Sequence, residues 1–392
     1  MKKKILFYNG QLFMGGIERV AISYLEGLSK EEDLEITLLI KENDPEKNIF
    51  IKDVPKNIPI KFIKTEEMVI KRNKLAKNKK KFLSKLLYPL LLTYERIYMK
   101  KWLKKYFVKN KYDVVIDFDM SLGKYLDEIP YPKIGWVHFT LTSKKGRKKE
   151  RFEKRLKKYE KIVVICDEMK EEIKKLFGIE DKKIVRLYNP FDVDNINNKL
   201  HEENHIDKKI NLEEEYLVGV SRLAKGKGRE DLIEIYYNLK KRGIKEKLYL
   251  IGDGAQRLEL EDLIKKLELE KDVILLGQQK NPYIYMKNAK LFLHPSYGEG
   301  LPTVFLESMI CKTPVIAYDC PTGPKDILEN GRYGVLVKTG DKKQFEEEIY
   351  KLIKDKERRE NYINNFYKEK LNEFLMSTIL KKFKEVLKEI NK

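Results

Sequence analysis

Residues 290–319, KLFLHPSYGEGLPTVFLESMICKTPVIAYD, carry the clearest indication of the fold class. It reads as an apolar strand, a glycine-bearing loop, a helix and a second apolar strand. Two such runs joined through a helix predict parallel strands, because a parallel connection needs a crossover. Glu299 falls in the loop and Glu307 in the helix, with seven residues between them. That spacing alone also fits two surface acids. The strand, loop and helix around the two glutamates favour the interpretation as a functional pair.

The start of the predicted helix in this stretch favours anion binding. Pro302 suits the first helical position, where its missing N–H is no loss. The amides near Leu301, Thr303 and Val304 would then direct free N–H groups at an anion.

The same alternation of strand and helix runs through the chain. Apolar β-branched runs in the first half are ILFYN, ITLLI, VVIDF, KIGWVHF, KIVVIC and KIVRLYN; the second half continues with YLVGVS, KLYLIG, VILLG, KLFLHP, PVIAYD and GVLVK. The polar stretch 192–215 is interpreted as a linker and the entry to a second domain. The pattern predicts an α/β protein with parallel-sheet domains at 1–190 and 191–370, and a C-terminal helix, 371–392, that returns to the first domain. A ligand is expected at the carboxyl ends of the strands, between the domains.

Composition narrows the class of protein. The chain has 392 residues, of which 42% are apolar, which excludes wholesale disorder. Its three cysteines (Cys166, Cys311 and Cys320) form no CxxC pair, which favours a reducing compartment and argues against a disulfide framework or thiolate zinc site. The apolar runs 5–8 and 82–92 are too short for a signal peptide core or a bilayer span of about 20 residues, so an integral membrane protein is not expected.

The net charge of +20 is concentrated in two tracts. Residues 71–111 hold 15 Lys/Arg and one acid, Glu95, and residues 143–161 hold 11 basic residues and three acids, which leaves the remainder close to neutral. The first tract interleaves lysines, among them Lys79, Lys80 and Lys81, with leucines and Trp102 at helical spacing. This pattern favours a helix at an anionic membrane surface, although a surface helix with one packed face also fits. Nucleic acid is disfavoured because no recognised nucleic-acid-binding motif accompanies the charge.

Two further loops are candidates for phosphate binding. SRLAKGKG, residues 221–228, places Arg222 and Lys227 between a strand and a helix, where they suit a diphosphate but could also be solvated cations. Gly15 and Gly16 follow the first strand and permit close approach of a phosphate, while Glu18 could simply favour the first helical turn. His138 ends a strand, where it would face the crevice or serve a structural role.

Together these residues resemble glycosyltransferase family 4, which comprises retaining, sugar-nucleotide-dependent enzymes. The resemblance rests on GGIE (15–18), WVH (136–138), SRLAKGKG (221–228), IGDG (251–254) and EGLPTVFLE (299–307). It implies the GT-B fold, in which two Rossmann-like parallel-sheet domains face each other across a crevice. The segment YDCPTGPKDIL (318–328) is similar to a bacterial glycan-assembly subgroup that often uses UDP-linked galactose or N-acetylhexosamines.

The resemblance also implies roles for individual residues. Arg222 and Lys227 would hold the donor diphosphate, Glu307 the ribose hydroxyls, Glu299 the reacting side of the donor sugar, and His138 the side of its 6-position. The implied donor-binding set is completed by Gly16, Leu301, Thr303, Gly252 and Gln279, and the acceptor or membrane set comprises Gly15, Glu18, Asp119, Lys79, Lys80, Lys81 and Trp102. No nucleophile is assigned, since retention in the family is usually explained by attack on the same face.

The chain departs from the family pattern at two places. The usual glycine before the arginine of the Arg222 loop is Ser221 here. Asp117 and Asp119 form a D-x-D, which binds Mn²⁺ in another transferase fold, but an acceptor or structural role is favoured at this position.

The resemblance therefore predicts transfer of a hexose or N-acetylhexosamine, of the GalNAc or Gal type, from a UDP-sugar without a metal. The expected acceptor is a polyprenyl-diphosphate-linked saccharide at the inner face of the cell membrane, met by a cytoplasmic, peripherally associated protein. A soluble or protein-linked acceptor is the alternative, and a non-enzymatic polyanion binder is a distant one.

Overall fold

The structure, a computed structural model, describes residues 2–78, 82–142, 144–202 and 210–390. Lys79, Lys80 and Lys81, expected at the membrane, lie outside the described residues. The chain divides into two units. The first comprises Met1–Ile165, Met169–Pro190 and Met376–Lys392, and the second comprises Cys166–Glu168 and Phe191–Leu375.

The first unit is built on a seven-stranded sheet in the order β3-β2-β1-β4-β5-β6-β7, with every neighbouring pair parallel. Its strands are β1 Lys3–Asn9, β2 Leu34–Glu42, β3 Ile60–Lys64, β4 Val114–Asp117, β5 Lys133–Val137, β6 Lys161–Val164 and β7 Ile184–Arg186. Its helices are α1 Gly16–Leu28, α2 Glu66–Lys77, α3 Phe82–Lys109, α4 Gly146–Leu156 and, from Met169 onward, α5 Asp167–Phe177. Consecutive residues of β1 and β4 are buried, as expected of strands covered on both faces.

The second unit repeats this design with a six-stranded sheet in the order β10-β9-β8-β11-β12-β13, again parallel throughout. Its strands are β8 Tyr216–Val220, β9 Lys247–Ile251, β10 Val273–Gly277, β11 Leu291–His294, β12 Val315–Asp319 and β13 Val335–Lys338. Its helices are α6 Val193–His201, α7 Arg229–Lys241, α8 Arg257–Lys266, α9 Tyr283–Lys287, α10 Thr303–Ile310, α11 Pro324–Leu328, α12 Lys342–Lys354 and α13 Lys356–Asn365. The two parallel Rossmann-like sheets confirm the predicted α/β class.

Two elements differ from the sequence predictions. The edge strand β3, IKFIK, is additional to the predicted strands, because its lysines interrupt the apolar run. The stretch interpreted as a linker contains α6, whose N-terminus is capped by the Asp192 side chain accepting from the Asn195 N–H at 2.9 Å.

The final helix, α14 (Met376–Glu389), belongs to the first unit. The Phe383 ring lies 5.7 Å from Trp136 and 6.3 Å from Tyr24, and the Lys384 ammonium pairs with Asp33 at 2.9 Å. Residues 371–375, grouped with this helix in the sequence analysis, lie in the second unit.

The described residues of the two basic tracts lie mostly in the helices α2, α3 and α4 of the first unit. The amino-terminal part of α3 exposes the apolar side chains of Phe82, Leu86 and Leu90 by 85%, 59% and 62%, whereas Met99 and Leu103 further along are buried. Trp102, expected at the membrane, is half-buried and stacks on Tyr106 at 4.7 Å. Across the described residues, we find no helix with the length and apolar character needed to cross a membrane.

Candidate active site

The predicted phosphate-binding residues of the second unit follow two neighbouring strands of its sheet. The loop 221–228 leaves the carboxyl end of β8, and the loop 295–302 leaves the carboxyl end of β11. Adjacent strand ends are where doubly wound sheets bind ligands. In this sheet they also form the point where strand order reverses.

Lys227 and Glu299, predicted separately from the two loops, form an ion pair. Lys227 Nζ donates to Glu299 Oε1 at 2.7 Å, and His294 Nε2 lies 2.8 Å from the same oxygen. Burial alone would raise the pKa of Glu299, but the hydrogen bonds from His294 and Lys227 and the positive charge of Lys227 outweigh it and lower that pKa to about 2. Glu299 is therefore ionised at neutral pH. Its Oε2 accepts no hydrogen bond from the described residues, so it can receive a ligand hydroxyl.

His294 fixes Glu299 from the end of β11. The ring is buried, and burial lowers the pKa of His294. The neutral ring therefore donates its Nε2–H to Glu299, while Nδ1 has no partner among the described residues. The Thr322 hydroxyl donates to the backbone carbonyl of Glu299 and holds the loop from the other side.

Arg222 differs from Lys227 in having no internal partner. Its side chain is exposed and forms no hydrogen bond or ion pair with the described residues. An exposed guanidinium in the same loop as the partly buried Lys227 can engage two oxygens of an incoming phosphate without first breaking an existing contact.

The α10 amino terminus supplies the predicted backbone donors. The helix starts at Thr303, with Pro302 at the N-cap rather than at the first helical position. The non-helical ψ of 84° at Pro302 places it just outside the helix, and no side chain caps the end. The N–H groups of Leu301, Thr303 and Val304 bond to none of the described residues and remain available to an anion.

Glu307, the second acid of the pair, lies in α10 in a different environment. Burial raises the pKa of Glu307 to about 7, and the positive charge of Lys199 opposes that shift. Its carboxyl group forms no hydrogen bond with the described residues. A half-buried acceptor without an internal partner suits ligand hydroxyls.

Two other predicted donor residues are occupied by the protein itself. Gly252, at φ 128°, donates its N–H to the Gly277 carbonyl at 2.8 Å, and a Cβ there would lie 1.9 Å from the Ser221 carbonyl oxygen. The amide nitrogen of the Gln279 side chain donates to the Leu276 carbonyl at 2.7 Å, and its oxygen accepts from Tyr285 at 3.4 Å. Gly252 therefore sets the backbone of the Arg222 loop, whereas Gln279 shapes its own loop.

His138 lies directly after β5 in the first unit, packed against Phe118 with ring centroids 4.5 Å apart. Burial lowers the pKa of His138 to about 3, against a hydrogen bond with the Phe118 backbone, so the ring is neutral at physiological pH. Nε2 is buried and has no hydrogen-bond partner among the described residues. A buried, unpaired nitrogen at a strand's carboxyl end indicates a ligand contact.

The two glycines at the start of α1, Gly15 at the N-cap and Gly16 as the first helical residue, have different surroundings. A Cβ at Gly15 would lie 2.2 Å from the Glu18 carboxylate, which folds back over this residue. A Cβ at Gly16 would meet nothing within 4 Å, so its surroundings are open to an incoming group. Burial raises the pKa of Glu18.

The D-x-D carboxylates are engaged in hydrogen bonds within the first unit. Asp119 accepts from the Gly10 and Ser121 N–H groups at 2.8 and 3.0 Å, and Asp117 accepts from the Tyr159 hydroxyl at 2.6 Å. Burial raises the pKa of Asp117 to about 8. In the described ranges, no group of three or more His, Cys, Asp or Glu side chains is arranged to hold a metal ion.

Three polar residues near these strand ends were missed by the sequence analysis: His294, Arg229 and Asn9. His294 ends an apolar run, and Arg229 is a single arginine among many basic residues, so neither gives a distinctive signal. Asn9 is 1% exposed at the end of β1, and its Oδ1 has no hydrogen-bond partner among the described residues. An asparagine that ends a buried strand in a Rossmann-like sheet is the one signal that could have found it.

Comparison with known sequences decides the family. Residues 14–195 match a sequence model described as Glycosyltransferase Family 4, and residues 201–369 match one described as Glycosyl transferases group 1. The chain is a family 4 glycosyltransferase. The resemblance to family 4 and the GT-B fold that it implies are confirmed.

Individual relatives of this glycosyltransferase agree. A Campylobacter jejuni protein named N-acetylgalactosamine-N,N'-diacetylbacillosaminyl-diphospho-undecaprenol 4-alpha-N-acetylgalactosaminyltransferase is 28% identical over 92% of this chain and 93% of its own length. The capsular polysaccharide biosynthesis glycosyltransferase CapM of Staphylococcus aureus is 31% identical over 54% of this chain and 57% of its own. The crystal structure of Anabaena Alr3699/HepE in complex with UDP superposes with a TM-score of 0.74 at 18% identity, covering 99% of this chain and 100% of that one.

Proposed function

We propose that this glycosyltransferase transfers a hexose or N-acetylhexosamine, of the galactose or N-acetylgalactosamine type, from a UDP-sugar to a polyprenyl-diphosphate-linked saccharide. The reaction proceeds with retention at the anomeric carbon and takes place at the inner membrane surface during glycan assembly. The observation that carries the donor half is the ion pair of Lys227 with Glu299 beside the unpartnered Arg222. The names of the Campylobacter relative and of the Anabaena complex support the lipid-linked acceptor and UDP.

The reaction expels a nucleoside diphosphate, so negative charge grows on the leaving phosphate. Arg222 and Lys227 are the cations that stabilise this charge, together with the free N–H groups at the start of α10. Fixed cations and backbone donors act strongly because they need no rearrangement during the reaction. No step requires a divalent ion, so metal independence is part of the proposal.

The two glutamates divide the recognition of the donor. Glu307 accepts from the ribose hydroxyls. Glu299 presents its free Oε2 to a hydroxyl of the donor sugar, while His294 and Lys227 hold Oε1. In the first unit, His138 accepts from the 6-position of the sugar through Nε2, and Gly16 leaves room for phosphate or acceptor.

The acceptor half of the proposal rests on the basic helices. The exposed Phe82, Leu86 and Leu90 of α3 have the exposed Lys85 between them in the sequence, and α4 exposes Arg147, Lys148 and Arg151. Apolar side chains bordered by cations bind the interface of an anionic bilayer, and the acceptor diphosphate is itself anionic. Gly15, Glu18 and Asp119 remain proposed acceptor-side residues, with Asp119 acting through the Gly10 and Ser121 backbone.

A transfer assay tests the enzymatic proposal. A thermal-shift screen of sugar nucleotides selects the donor, and UDP-galactose or UDP-N-acetylgalactosamine is expected to stabilise the protein most. Transfer to a polyprenyl-diphosphate disaccharide should fall by about 10²–10³-fold in Arg222→Ala. Lys225→Ala, an exposed lysine of the same loop, is the matched control and should retain activity.

Treatment with EDTA tests metal independence separately from the proposal that the chain catalyses the transfer. We expect transfer to be unchanged after EDTA treatment. Loss of transfer in EDTA with recovery in Mn²⁺ would refute metal independence, and efficient transfer to a soluble saccharide alone would refute the lipid-linked acceptor.

A further inference from the structure

Arg229, the first residue of α7, is a completely buried arginine. Its Nε and Nη2 donate to the Ser221 hydroxyl oxygen at 2.9 and 2.7 Å, and its Nη1 lies 3.5 Å from the Leu293 carbonyl oxygen. A Cβ at Gly219 would lie 2.4 Å from Nη1, so β8 needs a glycine there to admit the guanidinium. The fold is therefore shaped to bury this cation.

Both partners of Arg229 are neutral groups. No carboxylate of the described residues forms an ion pair with it, and the negative charge that acts on it is that of Glu299. Burying a charge without a direct counter-ion is strongly unfavourable. Burial lowers the pKa of Arg229 to about 10, so the side chain remains a cation at neutral pH. Such a costly group indicates a role beyond packing.

The position of the cation shows what that role is. Ser221 and Leu293 directly precede Arg222 and His294, so Arg229 links the loop of the phosphate-binding cations to the loop that carries Glu299. Ser221, which departs from the usual glycine, accepts from the guanidinium and donates its own hydroxyl hydrogen to the Arg222 carbonyl at 3.0 Å. The departure at Ser221 is thus part of one connected arrangement.

Charge counting leads to the same conclusion. Arg222, Lys227 and Arg229 against Glu299 leave a net charge of +2 at these loops, which would be +1 without Arg229. A cation in a low-dielectric interior acts on a nearby anion with little screening by water or salt.

We propose that Arg229 is a positioning residue of the donor site, which fixes the Arg222 loop through Ser221 and adds a third, buried positive charge that favours the nucleoside diphosphate. The inference rests on the proposed donor function. Because Arg229 is completely buried and its guanidinium is directed at Ser221 and Leu293, we expect it to act through its field and through the loop.

A ligand charge series tests the inference, because a purely structural role would not depend on ligand charge. Dissociation constants for UDP, UMP and uridine are measured by calorimetry for the unaltered protein, Arg229→Met and Arg229→Lys. In Arg229→Met, we expect UDP to bind at least about tenfold more weakly, and we expect the affinity for UMP to fall by a smaller factor. Uridine should change by less than about twofold, as expected for the loss of a fixed charge. An equal factor for all three ligands, or no change, would overturn the proposal.

Arg229→Lys carries the test if Arg229→Met does not fold. Lysine keeps the charge but loses the fork that reaches both Ser221 and Leu293. The ratio of UDP to uridine affinity should then stay within about twofold of the unaltered protein while kcat falls at least about tenfold. Loss of that ratio in Arg229→Lys would contradict the field effect.

Failure of the donor assignment gives a different result. If the unaltered protein binds no UDP, the proposed uracil base is wrong, and the same series is run with ADP, AMP and adenosine and with their guanine counterparts. If the unaltered protein binds no nucleoside diphosphate, both proposals are overturned.

Discussion

At the residue scale, the two glutamates of one motif have opposite electrostatic environments. His294 and Lys227 hold the pKa of Glu299 at about 2, whereas burial raises the pKa of Glu307 to about 7. Both positions are recognisable from the sequence, but their protonation is not. It depends on Lys227, 72 residues before Glu299, and on burial that no local pattern encodes.

The ionised carboxylate of Glu307 is expected to lower the stability of the folded protein while it supports nucleotide binding. Because its folded pKa lies above the ordinary value of 4.5, the stability that protonated Glu307 contributes is complete below pH 4.5 and is lost as the pH rises through 7. Glu307→Gln should therefore raise the thermal midpoint at pH 8 by about 2 °C and leave it unchanged at pH 5. Thermal melts at both pH values measure this.

The same substitution should remove a pH dependence of nucleotide binding. UDP affinity of the unaltered protein should fall as the pH drops from 8 to 6, since protonated Glu307 is a weaker acceptor, and Glu307→Gln should bind about tenfold more weakly at pH 8 with a flat profile. Glu270→Gln, an exposed glutamate of the same unit, is the control. A pH profile that survives Glu307→Gln would assign the titration to another group.

At the element scale, α3 combines the two interpretations that its sequence left open. Its amino-terminal part exposes Phe82, Leu86 and Leu90, as a membrane-facing helix would, and its later part buries Met99 and Leu103, as a packed surface helix would. Trp102 has the residue type expected at a membrane interface, but it stacks on Tyr106. The helical spacing of lysines and leucines predicted the helix, but only tertiary packing shows which of its apolar side chains are exposed and which are buried.

The exposed leucines of α3 should contribute to membrane binding. Burying each leucine in an apolar phase contributes about 1.5–3 kcal/mol, so the double substitution Leu86→Ser and Leu90→Ser should weaken binding to vesicles that contain phosphatidylglycerol by at least about tenfold. Sedimentation with the vesicles measures the bound fraction. Leu258→Ser, which alters a leucine of α8 that is 74% exposed, is the matched control. Equal binding by the double variant and the control would exclude this face of α3 as the contact.

The strand β3 shows why one element could not be predicted. Its lysines break the apolar pattern, yet Lys64 is only 3% exposed and pairs with the buried Glu42 and Glu95. Glu95, the one acid of the first basic tract, lies 31 residues from Lys64. A lysine is buried in a strand only when acidic partners pair with it. Because these partners lie far away in the sequence, the local pattern does not predict its burial.

At the scale of the whole molecule, the sequence predicts the arrangement of strands far better than the contacts within the site. Parallel strands covered on both faces leave continuous apolar runs, so twelve strands could be located along the chain. His294 and Arg229 act through contacts that form only after β8 and β11 become neighbours. Their roles therefore follow from topology rather than from spacing.

The separation of charge along the chain leads to a final prediction about ionic strength. The tracts at 71–111 and 143–161 hold the excess of positive charge, whereas of the three cations at the donor loops only Arg222 is exposed, since Lys227 is partly buried in its ion pair and Arg229 is completely buried. Exposed charges are screened at the Debye length of about 3 Å that 1 M salt produces, and buried charges much less. Raising NaCl from 0.05 to 1 M should therefore reduce vesicle binding at least about tenfold but UDP affinity by less than about threefold. Vesicle sedimentation and calorimetry on the same preparation measure both. An equal loss of vesicle binding and of UDP affinity would mean that both depend on the same exposed cations.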